Sequence, residues 1–366
     1  MHDHDSFQSR WLGVITVVLT LGGWTIVPVL IKEFTEDVDG WTSNGWRYGF
    51  AALLWMPLLV WRRLRRAGKP GLFRAALAPG LINAAAQVCF TMSFYQIDPG
   101  LVAFGLRAQI VAVTLGAALM FPTERAVIRT RGFALGMALL LVGTMTTIGL
   151  SGEFGEKSGT LGVVLAMLAG VGFAGYALAV RKCMTGYGSM ASFAAISQYT
   201  AGAMVVLMLV VGKDSGAVAL SMSGPRFALF LFSAVIGIAL GHVLYYISID
   251  KLGVTVSSGV IQLQPFTVAA LSFFWFGERL SVLQWLFGGL AVAGAIVMIV
   301  VQHRVKQRAL AERAPEPDRD KDADFADLPP DAVVAMAATH GETQAVFAGE
   351  AAREDDDEPE AVAVEP

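Results

Sequence analysis

The chain has 366 residues, 55% of them hydrophobic, and a mean hydropathy of +0.58. This composition excludes an ordinary soluble globular domain and predicts a polytopic membrane protein. The formal charge of −3 is unevenly distributed, because residues 302–366 hold 7 of the 27 Lys and Arg residues but 17 of the 30 Asp and Glu residues. The sequence therefore combines a basic, apolar body with an acidic tail.

Ten apolar stretches have the length, about 20 residues, that a helix needs to cross a bilayer. The connections between them are short, which favours antiparallel neighbours. We therefore predict an all-α polytopic membrane protein with ten transmembrane helices. The predicted spans are 11–31, 42–61, 72–95, 100–121, 130–150, 159–180, 190–211, 226–249, 253–276 and 283–301.

Basic residues are concentrated in alternate connections. If residues 1–10 are cytoplasmic, the segments on the cytoplasmic side, counted as far as Arg313, hold 17 Lys or Arg and those on the other side hold 5. Short cytoplasmic loops carry such an excess, so we predict that both termini are cytoplasmic. The expected location is the cell membrane, inner or plasma.

Two stretches, residues 101–127 and 253–281, resemble each other at a distance of 154 positions. Each is an apolar run that ends in a Glu-Arg pair. The pairs are Glu124-Arg125 and Glu278-Arg279. A single repeat at this distance predicts a chain built from two related halves.

The predicted halves, residues 11–150 and 159–301, hold five helices each. Since five is odd, the second half would enter the membrane from the opposite side, which makes the repeat inverted. Inverted repeats commonly hold a substrate site near the membrane midplane, between the halves. A duplicated scaffold without such a site is the alternative interpretation.

Residues 302–366 are acidic, rich in Ala and Pro, and lack a periodic apolar face, so we predict a disordered cytoplasmic tail. The sequence shows no catalytic Ser/His/Asp set, no phosphate-binding Gly-Lys-Ser/Thr loop and no HExxH motif. We therefore expect no enzymatic activity, no cofactor and no metal. The basic loop clusters are explained by topology and do not predict nucleic-acid binding.

Several segments are similar to a known family. The most specific is 252–289, which holds a proline-containing helix, a Gly-Glu-Arg-Leu turn and a Gly-Gly pair. With these segments the chain resembles the EamA type of the drug/metabolite transporter superfamily over residues 11–301. The other matching pieces are Leu21-Gly22-Gly23-Trp24, Trp46-Arg47-Tyr48, Gly175-Tyr176-Ala177 and Arg181-Lys182. The resemblance implies ten spans in two halves and transport of a small-molecule cargo.

The first half departs from the family pattern. Val111 stands where Pro265 predicts a proline, and Pro122-Thr123 replaces Phe276-Gly277. Arg107 is not a general family feature either. These departures indicate that the first half is specialised.

Arg107 lies inside the fourth predicted span, about 10 Å from its nearer end at 1.5 Å per residue. A charge at that depth costs several kcal/mol, and the predicted spans contain no Asp or Glu to offset it. An anionic group on the cargo would compensate the charge. Alternatively, the side chain snorkels to the headgroups or reaches Asp98. Arg47 is nearer its helix end and is predicted to be interfacial.

Pro265 lies midway along the ninth span and leaves the carbonyl of Ile261 without its helical donor. The freed carbonyl could serve a substrate, a water or a bend. Side chains two apart on a helix point about 200° apart, so Gln262 and Gln264 are not expected to face one cavity. Gln262 shares a face with Ser258 and is the predicted cavity residue.

Other polar and aromatic residues inside the spans are substrate-pathway candidates. They are Trp24, Asn83, Gln87, His242 and Tyr245. Amide and aromatic groups together suit an amphipathic organic solute, and a histidine could couple transport to protons. Hydrogen bonding between helices is the competing interpretation for His242 and the amides.

Small-residue motifs at Gly132-x-x-x-Gly136 and Gly289-x-x-x-Ala293 allow close approach of helices. They could serve a homodimer contact or packing within one chain.

The favoured hypothesis is a secondary transporter of a small organic metabolite that is anionic or amphipathic, for example amino-acid-like, and that is carried by alternating access. The resemblance favours export. The alternatives are a flippase of lipid or lipid-linked headgroups, and a non-transporting sensor or interaction protein that uses the acidic tail.

Overall fold

The computed structural model describes residues 2–65, 69–120, 125–151, 157–252 and 254–313, and within these ranges the regular structure is helical. The α-helices are α1 (His2–Glu33), α2 (Gly40–Leu64), α3 (Leu72–Ser93), α4 (Pro99–Gly105), α5 (Ala108–Met120), α6 (Arg125–Ile128), α7 (Arg131–Gly149), α8 (Lys157–Cys183), α9 (Ser189–Val211), α10 (Gly224–Ala234), α11 (Gly241–Leu252), α12 (Val254–Ile261), α13 (Gln264–Phe276) and α14 (Val282–Arg313). Two 3₁₀ segments, Phe34–Glu36 and Lys213–Ser221, and a π-helical segment, Val235–Leu240, complete the described structure.

The described residues contain nine helical segments that are long and apolar enough to cross a membrane. Each corresponds to one predicted span, which confirms an all-helical membrane fold. The one remaining predicted span, 42–61, falls in α2 and is not among the nine. Its first turns are polar, with Thr42, Ser43, Asn44 and Arg47 all buried.

Large apolar side chains cover the surface of the bundle. Leu119, Val210 and Phe274 are 78%, 77% and 82% exposed. A monomeric soluble protein rarely exposes large contiguous apolar patches, whereas a bilayer solvates them. The exposure therefore agrees with a lipid-facing surface.

Two spans are interrupted at nearly equivalent positions of the two halves. Turn residues 106–107 separate α4 from α5, and turn residues 262–263 separate α12 from α13. At both places the backbone forms i→i+3 bonds, such as Gln109 N to Leu106 O at 3.0 Å and Gln262 N to Gly259 O at 3.2 Å. A short 3₁₀ stretch inside a helix often marks a hinge.

Charged side chains meet at one end of the bundle, which we call the Asp37 end. Arg226, at the start of α10, pairs with Asp37 at 2.6 Å and with Glu33 at 3.1 Å. The indole of Trp275, near the end of α13, donates to Glu33 at 3.0 Å. These contacts join the end of α1 to two helices of the second half.

The fourth predicted span of the first half is formed by α4 and α5, and that of the second half by α12 and α13. These two spans run in opposite directions. Lys32 lies 3.9 Å from Asp98, so α4 begins at the Asp37 end. Trp275 contacts Glu33, so α13 finishes there.

The small-residue motif of the fifth predicted span packs within the chain. A Cβ added at Gly136 would lie 2.8 Å from the carbonyl oxygen of Gly294, and one added at Gly132 would lie 2.9 Å from Val301. Both partners are on α14, which settles the choice for this motif in favour of internal packing. The close glycine of α14 is Gly294, whereas Gly289 makes only an ordinary contact with Phe266.

The last helix continues beyond the predicted end of its span at Val301, because α14 reaches Arg313. The beginning of the predicted tail is therefore helical. Residues 314–366, with the rest of the predicted tail, lie outside the described residues.

The packing of α7 on α14 makes Gly143 sensitive to substitution. A Cβ there would lie 2.5 Å from both the amide nitrogen of Ala291 and the carbonyl oxygen of Phe287. We expect Gly143→Ala to lower stability by about 1–3 kcal/mol, because neither backbone group can move aside. The measurement is the thermal unfolding midpoint of the purified protein in detergent.

Gly149→Ala, in the same helix, is the matched control, because nothing lies within 4 Å of its Cβ position. Equal midpoints for the two variants would contradict the close packing of α7 on α14.

Candidate functional site

The two interrupted spans meet at Arg107. Its Nη1 donates to Oε1 of Gln262 at 2.8 Å, and its Nη2 lies 3.5 Å from Oε1 of Gln264. Arg107, Gln262 and Gln264 are 4%, 0% and 1% exposed. The interruption in one half thus supplies a cation, and the interruption in the other supplies the two oxygen atoms that bind it.

The position of Arg107 contradicts the interpretation in which its side chain snorkels to the headgroups. It is buried, and it extends to two glutamines inside the bundle. Asp98, the other proposed partner, lies near Lys32 at the Asp37 end.

The expectation that Gln262 and Gln264 cannot face one site is wrong. The expected 200° between their side chains assumes a continuous helix, but the chain turns at residues 262–263 and begins a new helix at Gln264. The turn brings both side chains to Arg107. Pro265 stands in the first turn of α13, where its missing N–H leaves no helical bond unmade.

A proline in the first helix explains why Gln264 reaches α1. Pro28 lies inside α1 and has no N–H, so it cannot donate to the carbonyl of Trp24, four residues earlier. Nε2 of Gln264 donates to that carbonyl at 2.9 Å. Gln264 therefore links α1 to Arg107, and the sequence analysis missed the part that Pro28 plays in this link.

The ring of Trp24 packs against a second aromatic residue. The ring centroids of Trp24 and Tyr245 are 5.4 Å apart, and the two residues are 2% and 0% exposed. Gly241 permits this packing, because a Cβ there would lie 2.5 Å from Nε1 of Trp24. Gly241 directly follows the π-helical segment, and such segments are frequent at functional sites.

Asn83 and Gln87 are buried in α3 and bind other helices. Nδ2 of Asn83 donates to Oγ1 of Thr200 in α9 at 3.2 Å. The backbone carbonyl of Gln87 accepts from Nδ2 of Asn44 in α2 at 3.4 Å. For Asn83 the structure thus agrees with hydrogen bonding between helices.

Several candidates cannot be placed at the site. His242 lies in α11 and Ser258 in α12, but their side chains are outside the described residues, as is all of Glu124. Arg125 donates to the carbonyl of Ala118 at 3.1 Å. The remaining candidates are Glu278, which is partly buried near Gly100, and Arg279, which is exposed.

Arg47 is a second buried arginine, and its position near the membrane interface stays a prediction. It is 4% exposed, and its Nε donates to Oγ of Ser233 in α10 at 3.0 Å. The packing of α10 on α2 covers Arg47. The distance of a residue from the end of its own helix does not predict such a contact with another helix.

No cluster of three or more His, Cys, Asp or Glu side chains that could hold a metal occurs in the ranges that the structure describes.

These helices and their paired interruptions define a polytopic helical membrane protein with two repeated halves. The model of the EamA-like transporter family matches residues 11–149 and again residues 160–300. The chain belongs to this family, which confirms the resemblance seen in the sequence. It is thus a multi-pass member of a family of membrane transporters of small molecules.

Eighteen chains of solved structures match this chain. One, described only as the crystal structure of a protein, superposes with a TM-score of 0.55 at 15% identity. The match covers 82% of this chain and 99% of the other, and at this identity it shows the fold alone. No curated protein matches the chain.

The bond between Gln264 and Trp24 can be tested with a double-mutant cycle. Gln264→Met leaves the Trp24 carbonyl without its donor, so we expect a loss of about 1–3 kcal/mol. Pro28→Ala restores a backbone N–H four residues after Trp24. The loss on Gln264→Met should therefore be smaller in the Pro28→Ala background, when both are measured by thermal unfolding.

The same loss in both backgrounds would mean that Pro28 does not create the need for Gln264. Gln198→Met is the control, because Gln198 donates to Ala52 at 3.0 Å and is remote in sequence from Pro28.

Proposed function

We propose that the chain is a secondary transporter of a small organic anion and that Arg107 binds the anionic group. The observation that carries the proposal is the position of Arg107. It is a buried cation at the interruption of one span, hydrogen-bonded to Gln262 at the interruption of the other.

The charge of Arg107 supports an anionic cargo. A charged side chain inside a membrane costs several kcal/mol and commonly marks a substrate or ion pathway. The two glutamine oxygens accept hydrogen bonds from the guanidinium and carry no formal charge, and the predicted spans contain no Asp or Glu. An anionic cargo would therefore gain binding free energy from the charge of Arg107, while the glutamines keep the guanidinium in place.

The repeated halves support alternating access around this site. We propose that α2 also crosses the membrane, which brings the number of spans to ten. The two five-helix halves are then inverted, and the site lies near the midplane between them. The opposite directions of α4 and α13 agree with inversion. The excess of basic residues supports cytoplasmic termini in the cell membrane, and the family resemblance favours export.

Arg107→Gln tests the proposal. The variant keeps a polar side chain but removes the charge, so we expect at least a tenfold loss of affinity for anionic ligands, about 1.4 kcal/mol. The measurement is ligand-induced thermal stabilisation of purified protein with a panel of monocarboxylates, followed by uptake of the best binder into proteoliposomes.

Arg129→Gln is the matched control, because Arg129 is exposed in the connection between α6 and α7. Equal binding and uptake by the Arg107→Gln and Arg129→Gln proteins would remove Arg107 from the site.

Removal of residues 314–366 separates transport from a sensor function of the acidic tail. These residues follow α14, and all the contacts described at Arg107 are made without them. We expect the truncated protein to transport the same ligand at an unchanged rate in proteoliposomes. Complete loss of transport with intact folding would favour the interaction-protein hypothesis.

A further inference from the structure

The two glutamines that bind Arg107 use their amide nitrogens differently. Nε2 of Gln264 donates to the carbonyl of Trp24. Nε2 of Gln262 is buried and has no hydrogen-bond partner among the described residues. A buried donor without a partner costs about 1–3 kcal/mol, and in a native site such an atom requires an explanation.

Arg107 fixes which way the Gln262 amide points. A guanidinium has only donors, so the amide must turn its oxygen to Arg107 and its nitrogen away. The result is a buried cation and a buried N–H donor on neighbouring groups. The amide of Gln264 already uses both of its ends, because its oxygen faces Arg107 and its nitrogen donates to the carbonyl of Trp24 in α1.

We propose that Gln262 is the glutamine that recognises the cargo, and that it reads a carboxylate. The carboxylate lies against the guanidinium of Arg107, and one of its oxygens accepts from Nε2 of Gln262. This inference rests on the proposed function, because it takes the charge of Arg107 as the attraction for an anion.

Charge and hydrogen-bonding capacity select this ligand class. A carboxylate carries one negative charge, which matches one arginine, whereas a phosphate monoester carries about −1.5 to −2 at neutral pH. Surplus negative charge in the apolar interior would be costly. An amine offers donors where the site also offers donors, so it is rejected.

The first experiment needs no ligand. Gln262→Glu places a carboxylate beside Arg107 and removes the unpaired donor, so we expect a higher unfolding midpoint than in the unsubstituted protein. Gln264→Glu makes the same chemical change two residues away, but it turns an acceptor towards the carbonyl of Trp24. We expect that variant to have a lower midpoint.

Opposite shifts in these two variants support the assignment. Shifts of the same sign and size in both would overturn it, because the two glutamines would then be equivalent.

The second experiment compares acids with their primary amides, using octanoate with octanamide and 3-phenylpropanoate with 3-phenylpropanamide. Gln262→Met keeps the size of the side chain but lacks the N–H donor. We expect the preference of the unsubstituted protein for acid over amide to fall about tenfold in this variant, as one lost hydrogen bond to a charged group predicts. The measurement is ligand-induced thermal stabilisation, titrated to an apparent affinity.

The outcomes distinguish the inference from the proposed function. An unchanged acid-to-amide preference in Gln262→Met, together with lost acid binding in Arg107→Gln, overturns the role of Gln262 and leaves the anion transporter standing. Acid binding that survives Arg107→Gln overturns the proposed function and this inference with it. A lower midpoint of Gln262→Met with an unchanged preference also overturns it, since that result describes a purely structural glutamine.

Discussion

The hydrogen bond between Arg107 and Gln262 is the constraint on which the centre of the bundle depends. A charge buried in an apolar bundle must find hydrogen-bond acceptors, and here the acceptors come from the other half of the chain. Both partners stand where a span is interrupted, so their side chains meet without following the geometry of a continuous helix. The interruptions therefore explain how two spans that run in opposite directions supply one polar site.

The first helix is part of the same arrangement. Pro28 leaves the carbonyl of Trp24 without its helical donor, and Gln264 donates to that carbonyl from another helix. Loss of a backbone donor in a membrane helix is tolerated when a neighbouring helix supplies a replacement. Helices α1 and α13 and the turn between α4 and α5 are thereby joined through one glutamine and one arginine.

The sequence predicted the class of fold well, because composition and span length determine it directly. The family segment and the duplicated runs predicted the two halves, which the family model confirms, and Pro265 indicated the interruption near residue 262. The interruption at Arg107 has no such signal, since Val111 stands where a proline is predicted. The pairing of both glutamines with Arg107 was missed because a 100° step per residue was assumed across a turn. The burial of Arg47 depends on how α10 packs against α2, and that long-range contact leaves no trace in local sequence.

Bending at the interruption of the ninth predicted span would have a mechanical consequence at the far end of α13. This helix has 13 residues and is about 20 Å long. A swing of about 10° about residues 262–263 would displace its terminus by about 3 Å, a distance that follows from that length. The indole of Trp275 would then leave the carboxylate of Glu33, which Arg226 also holds. A small tilt of α13 beside Arg107 would thus be amplified along the helix and would break the contact between Trp275 and Glu33 at the Asp37 end.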